Sequence, residues 1–118
     1  IIIADAFYEW QRKEHDKVPI RITDEWQPLL LMAGLYGAKD ASNSQASGII
    51  LTQAANQAMR FLHARMPVLL DIVSAKAWLR GDIQHVNGLT YQPALNFKAV
   101  SKALNYPQNE GEHLINAQ

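Results

Sequence analysis

Apolar residues in this chain come in short runs rather than in long helical stripes. Ile1-Ile2-Ile3 leads into Ala4–Trp10, an apolar run interrupted by Asp5 and Glu9. Side chains alternate faces along a strand, so Ile1–Lys13 is predicted as one or two strands bent near Asp5. Glu9 then shares a face with Phe7, while Tyr8 and Trp10 point the other way. His15-Asp16-Lys17 reads as a polar turn. Val18–Thr23 sets Val18, Ile20 and Ile22 against Pro19, Arg21 and Thr23, a half-buried strand that should pair with the first run as a hairpin. Pro19 argues for an edge position, because proline donates no ladder hydrogen bond. Leu29–Tyr36 and Gly48–Thr52 are apolar on both faces and are predicted as fully buried strands. Between them, Gly37–Ser47 is polar and small, the composition of a surface loop.

Helical periodicity is confined to two stretches. Asn56–Ala64 places Met59 and Leu62 on one side and should stop before Pro67, since the residue preceding proline avoids helical geometry. Ser74–Arg80 is predicted as a helix with serine at the N-cap, Trp78 and Leu79 inward, and Gly81 at the stop. Pro67–Asp71 and Ala94–Ser101 read as extended, Asp82–Pro93 as irregular, and Leu114–Ala117 as a last short strand. Neither a repeat nor a linker divides the 118 residues. They are predicted as a single α+β domain with strands outnumbering helices.

Composition narrows the function classes. Formal net charge is zero, so any nucleic-acid contact must be a local patch rather than a property of the whole chain. Cysteine is absent, which removes disulfides, thiolate metal sites and cysteine nucleophiles from these residues and fits a cytoplasmic setting. No apolar run approaches the roughly 18 residues of a membrane span, so no membrane partner is expected. The six glycines are dispersed and give no phosphate-loop or dinucleotide pattern. His15, His85 and His113 lack ligand spacing, so neither a metal site nor a cofactor is expected. The chain begins at Ile1, within a strand-like run and without methionine, which suggests that residues precede it.

Two groups stand out as chemistry. Glu9 lies in apolar company; either Arg21 neutralises it across the hairpin, or it is a carboxylate kept for proton exchange. His63 ends the Asn56–Ala64 stretch; it is either a helix-end histidine or a general acid–base held by the stiffness of Met66-Pro67. Arg65 is a surface arginine or a phosphate clamp, and Thr52 a turn hydroxyl or a pocket wall. Ser101 is equally ambiguous.

"ADAFYEW" (Ala4–Trp10), "GIILTQAAN" (Gly48–Asn56), "HARMPVLL" (His63–Leu70) and "AVSKALNYPQNEGEHLI" (Ala99–Ile115) together resemble, in order and spacing, segments of the SOS response-associated peptidase (SRAP) family, which processes abasic sites. The resemblance implies a mostly antiparallel, partly barrel-like sheet with a few short flanking helices. It implies that Glu9 and His63 are catalytic, that Arg65 contacts DNA and that Thr52 lines the pocket. With zero net charge, Arg60 joins Arg65 as the local DNA contact, and Tyr8 and Trp10 are expected to pack behind Glu9 in support of the pocket. In the family, a cysteine at position two, exposed by autoproteolysis, condenses with the aldehyde of an abasic site in single-stranded DNA. That gives a covalent crosslink. The resemblance covers roughly the C-terminal half of such a domain, so the expected partners are abasic single-stranded DNA and an N-terminal half, or a second copy through the Ile1–Ile3 edge. Asp5-Ala6 stands where the family has Asp-Gly. Two other readings are open: a binding or assembly module that kept the fold without the nucleophile, and a metal-independent hydrolase using Glu9 and His63.

Overall fold

The computed structural model describes residues 1–37 and 45–115. The hairpin expected near the start is present. Strand β2 (Phe7–Lys13) pairs antiparallel with β3 (Asp16–Asp24), after a short β1 (Ile2–Ala4) that ends at the predicted bend. The connecting turn is tighter and earlier than expected: Glu14 and His15 alone link the strands, with Glu14 in the left-handed region at φ 53°.

Strand β10 (Leu95–Ala99) adds to the other side of β3, so β3 is central and not an edge. Pro19 is tolerated there for a geometric reason. Its carbonyl accepts from Val100 N–H at 3.0 Å, so its nitrogen faces the β10 side just past the last pair, Ala99 with Ile20, and interrupts no bond of the β2 ladder. Paired residues share a face. Phe7, Ile22 and Phe97 therefore form one row, and Glu9, Ile20 and Ala99 the next on the same side. That side carries buried Ile20 and Ile22 and packs against Leu30, Met32, Met59 and Met66.

The middle of the chain departs most from expectation. Leu29–Tyr36 is not one buried strand but β4 (Leu30–Met32) and β5 (Gly34–Gly37), divided at Ala33. The Gly48–Thr52 run falls in β6 (Ser47–Ile50) and β7 (Thr52–Ala54), divided at Leu51, and β6 is exposed throughout. Strands β8 (Arg65–Pro67) and β9 (Leu69–Leu70) are divided at Val68. Each stretch changes partner at its break: β4 pairs with β1 and β9, β5 with β6, and β7 with β8. The three break residues bond to one another, Ala33 N–H to Val68 O at 2.9 Å, Leu51 N–H to Ala33 O at 3.0 Å and Val68 N–H to Leu51 O at 2.9 Å. This ring satisfies the backbone groups freed where the ladders end. The outcome is four small antiparallel sheets, three of them (β1–β4–β9, β5–β6 and β7–β8) meeting at a three-way junction, with no closed barrel among the described residues.

Asn56–Ala64 is not a helix. It folds as consecutive turns, with Met59 and Arg60 N–H groups bonded to Asn56 O and those of Leu62 and His63 to Met59 O. The pattern that suggested a helix survives in its burial, since Met59 and Leu62 still pack on the core. Helix α1 (Ile72–Arg80) begins two residues earlier than expected, because Asp71 and not Ser74 is the N-cap, its carboxylate accepting from Ser74 N–H at 2.8 Å. Gly81 ends it in the left-handed conformation at φ 76°. Trp78 turns inward and donates to Gly34 O at 3.1 Å, but Leu79 faces solvent at 68% exposure. Short 3-10 turns occupy Val86–Gly88, Lys102–Asn105 and Glu112–Ile115, the last replacing the expected terminal strand over the described part of Leu114–Ala117. Of the expected Gly37–Ser47 loop, Gly37 and Ser47 end strands β5 and β6, and residues 38–44 lie outside the described residues. Among the described residues no helix is long and apolar enough to cross a membrane.

Candidate active site

His63, Arg65 and Thr52 form one hydrogen-bonded group. Strands β7 and β8 are paired, with Thr52 opposite Pro67 and Ala54 opposite Arg65. The Arg65 guanidinium spans this ladder: its Nη2 donates to Thr52 O at 3.0 Å and to Thr52 Oγ1 at 3.2 Å. The peptide of Arg65 holds the imidazole. Arg65 N–H donates to His63 Nδ1 at 3.0 Å, and Arg65 O lies 3.0 Å from the same nitrogen. The two contacts suit two placements of the ring proton: without a proton on Nδ1 the nitrogen accepts from Arg65 N–H, and with one it donates to the carbonyl. In both, Nε2 makes no hydrogen bond among the described residues, and all three side chains are exposed.

Asn56 shapes the turn that carries His63. Its Oδ1 accepts from Met59 N–H at 2.9 Å and its own N–H meets Met66 Sδ at 3.4 Å. Arg60 leans back onto Ala55 O through Nε at 3.4 Å, leaving its terminal nitrogens without a bond among the described residues. Phe61 fixes the turn on the sheet: its ring meets Phe97 edge-on with centroids 5.0 Å apart, while 60% of the residue stays exposed. Sequence reasoning passed over Asn56 and Phe61. An asparagine opening a turn three residues before a buried methionine was the available signal for the first; nothing local marks the second.

Glu9 stands on the same sheet face as Phe97, one row away. It is half-buried and makes neither hydrogen bond nor ion pair among the described residues. Arg21 does not neutralise it. Arg21 lies opposite Tyr8, on the reverse face, and pairs with Asp5 at 3.6 Å. Tyr8 and Trp10 also belong to the reverse face, where Trp10 Nε1–H donates to Asn105 Oδ1 at 2.5 Å. They back the strand behind Glu9. Asp16 and Lys102 form an ion pair farther along that hairpin, which holds the Asp16 carboxyl below the ordinary range. Ser101 caps the 3-10 turn Lys102–Asn105 by accepting from Ala103 N–H at 3.2 Å. Among the described residues no three acidic, histidine or cysteine side chains gather as a metal site.

The structure thus presents an exposed imidazole with one nitrogen held, an arginine stretched across a strand pair, and a carboxylate left unpaired on the neighbouring sheet. The family model for SOS response associated peptidase (SRAP) matches residues 1–107. The chain belongs to the SRAP family. It is similar to the abasic site processing protein YoqW of Bacillus subtilis, 36% identical over 98% of this chain and 55% of that one. Similarity to the abasic site processing protein YedK of Escherichia coli runs at 28% identity over the same shares, 98% and 55%. Among solved structures, a Bordetella bronchiseptica protein aligns with TM-score 0.68 at 28% identity over 85% of this chain and 53% of its own. A Bacteroides thetaiotaomicron protein shares the fold, with TM-score 0.82 at 17% identity over 99% of this chain and 55% of its own. The chain spans about half the length of the curated relatives it matches.

Proposed function

We propose that this SRAP chain supplies the acid–base and phosphate-binding part of a site that processes abasic sites in single-stranded DNA. The carrying observation is the pair of uncommitted groups, the Glu9 carboxylate and His63 Nε2, on elements that share one sheet face. A carboxylate left half-buried without a partner is a poor structural device, and an imidazole anchored at Nδ1 presents Nε2 in a fixed direction. On this reading Glu9 and His63 exchange protons as the abasic sugar opens to its aldehyde and as that aldehyde condenses with an amine. Arg65 keeps donors beyond those bound to Thr52, and with Arg60 it meets the phosphates flanking the lesion. Thr52 sets the arginine's direction; Tyr8 and Trp10 stiffen β2 behind Glu9. The condensing group is the family's N-terminal cysteine, which these residues do not include. Crosslinking and the autoproteolysis that exposes that cysteine are therefore activities of the longer domain. Such work belongs in the cytoplasm of a bacterium or in its phage, the sources of similar proteins.

The test joins the chain to a family N-terminal portion and presents it with a single-stranded oligonucleotide bearing one abasic site, reading covalent product on a denaturing gel. Glu9→Gln and His63→Ala each slow product formation by about 10²–10⁴-fold, the range of general acid–base catalysis. Arg65→Ala weakens DNA binding and lowers the salt slope by about 0.7. Unchanged rates in both acid–base variants overturn the catalytic assignment. The second reading, a binding or assembly module that kept the fold without the chemistry, prevails if the joined protein binds the oligonucleotide and forms no covalent product.

A further inference from the structure

The strand ribbon β5–β6 contradicts its own sequence. "LLLMAGLY" and "GIILT" are apolar at consecutive positions, the pattern of strands covered on both faces. Register places Leu35 opposite Ile49 on one face, and Tyr36 with Ile50 on the other. All four are exposed, Tyr36 at 78% and Ile49 at 59%. A two-stranded ribbon is marginal in water without cover, and this one is apolar on both sides. Beside it lies a groove of about 550 Å³, lined by Ile1, Ile2, Leu35, Tyr36, Trp78 and Leu79 among others. Its walls are β1 and β5, which among the described residues pair as strands only with β4 and with β6 respectively. Gly34 lets those walls approach: a Cβ there would stand 2.8 Å from Ile2 Cδ1 and 3.0 Å from Ile49 O. Neither Glu9 nor His63 lines the groove.

Exposed apolar patches with open strand edges mark docking surfaces. The relatives YoqW and YedK carry further polypeptide, a little under half their length, with no counterpart in these residues. We propose that the β5–β6 ribbon and the groove beside it are the seat for polypeptide of that kind, a strand-forming apolar segment from the rest of an SRAP domain. The occupant adds main-chain hydrogen bonds at an open strand edge and covers Tyr36, Ile49 and Leu79 with its side chains. The seat lies apart from the acid–base groups, so cover can be gained without closing Glu9 or His63 from DNA. This rests on family membership and the exposed pattern, not on the proposed chemistry.

The probe is the portion of Bacillus subtilis YoqW that has no counterpart in this chain, produced separately and titrated into the 118-residue chain. The readout is amide hydrogen exchange in β5 and β6, with size-exclusion chromatography for stoichiometry. A one-to-one complex is expected, with exchange in the ribbon slowed at least tenfold. Tyr36→Glu and Ile49→Glu, both at exposed positions, are expected to abolish the slowing while circular dichroism stays unchanged. Val73→Glu, exposed on α1 outside the groove, is expected to keep it. Exchange unchanged at the highest soluble probe concentration overturns the proposal. So does equal loss in Val73→Glu, and so does slowing that rises with the chain's own concentration in the absence of probe, which would make a second copy the occupant. No DNA enters the experiment, so its failure leaves the proposed chemistry standing, and failure of that chemistry leaves the seat standing.

Discussion

One face of the β2–β3–β10 sheet carries two carboxylates, and the two are treated oppositely. Asp24 closes β3, two positions beyond Ile22; Glu9 lies opposite Ile20, at the middle of β3. Asp24 is 6% exposed and accepts from Trp26 N–H at 3.0 Å, Ala94 N–H at 3.1 Å and Tyr91 O–H at 2.5 Å. Glu9 is half-buried and accepts from nothing described. Buried polar groups in stable folds are satisfied. Asp24 obeys the rule and ties the irregular stretch before β10 to the sheet. Glu9 lies outside the rule: it is only half-buried, where the core face opens toward exposed Ala99, so its carboxylate stays within reach of water and of a ligand without a protein partner. The contrast separates a carboxylate committed to folding from one with no described structural partner, the one assigned to chemistry under the proposed function, and substitution should expose it.

The largest effect belongs to Asp24. Asp24→Ala orphans two backbone N–H groups and a phenol, each costing roughly 1–3 kcal/mol when left buried and unpaired. The expected loss is about 3–5 kcal/mol in urea unfolding, out of a typical total of about 5–15 kcal/mol. A loss under about 1 kcal/mol would break the comparison from the structural side, because Asp24 would then be no more committed than Glu9.

Tyr91 sharpens the same point at smaller cost. Tyr91→Phe removes one charge-assisted hydrogen bond, worth about 1.5 kcal/mol, and keeps the ring. It also changes the response to alkali. Burial first, and then the hydrogen bond to Asp24, holds the Tyr91 hydroxyl well above the ordinary tyrosine value of 10.0. A folded-state value raised above the unfolded one gives stability that is complete below about pH 10 and lost as pH rises toward the folded value, because the unfolded chain ionises first. Urea midpoints measured from about pH 8 to about pH 11 should therefore fall more steeply for the unsubstituted chain than for Tyr91→Phe. Parallel profiles would detach the tyrosine from the Asp24 network.

How much of this was legible in the sequence follows the range of the forces involved. The hairpin, its bend near Asp5 and the Gly81 stop were legible because alternation and glycine geometry act locally. The Asn56–Ala64 turns were misread as a helix because Met59 and Leu62 satisfy helical spacing while Asn56 diverts the backbone with its side chain. Strands 30–37 and 47–54 were misread as straight and buried because the Ala33, Leu51 and Val68 ring that redirects them joins residues far apart in the chain. At the candidate site, the sequence singled out Glu9, His63, Arg65 and Thr52, and the opposition of Glu9 to Tyr8 and Trp10 was legible from alternation. The Arg65 bridge to Thr52 was not, since it depends on β7 lying beside β8. Asp24 and Tyr91 were missed together: they are 67 positions apart and neither has a motif.

The smallest expected effect is the most discriminating. Glu9→Gln keeps the shape of the side chain and removes its charge. With no described partner to lose, the substitution sacrifices no hydrogen bond, and the neutral amide is easier to hold half-buried than a carboxylate. The change in unfolding free energy should lie within about 0.5 kcal/mol and can favour the variant, as expected where function rather than stability retains a residue. Paired with slowed crosslinking in the joined protein, that near-silence would place Glu9 in the chemistry. A loss comparable to that of Tyr91→Phe would show instead that the carboxylate has a structural partner, and the two carboxylates would then be alike.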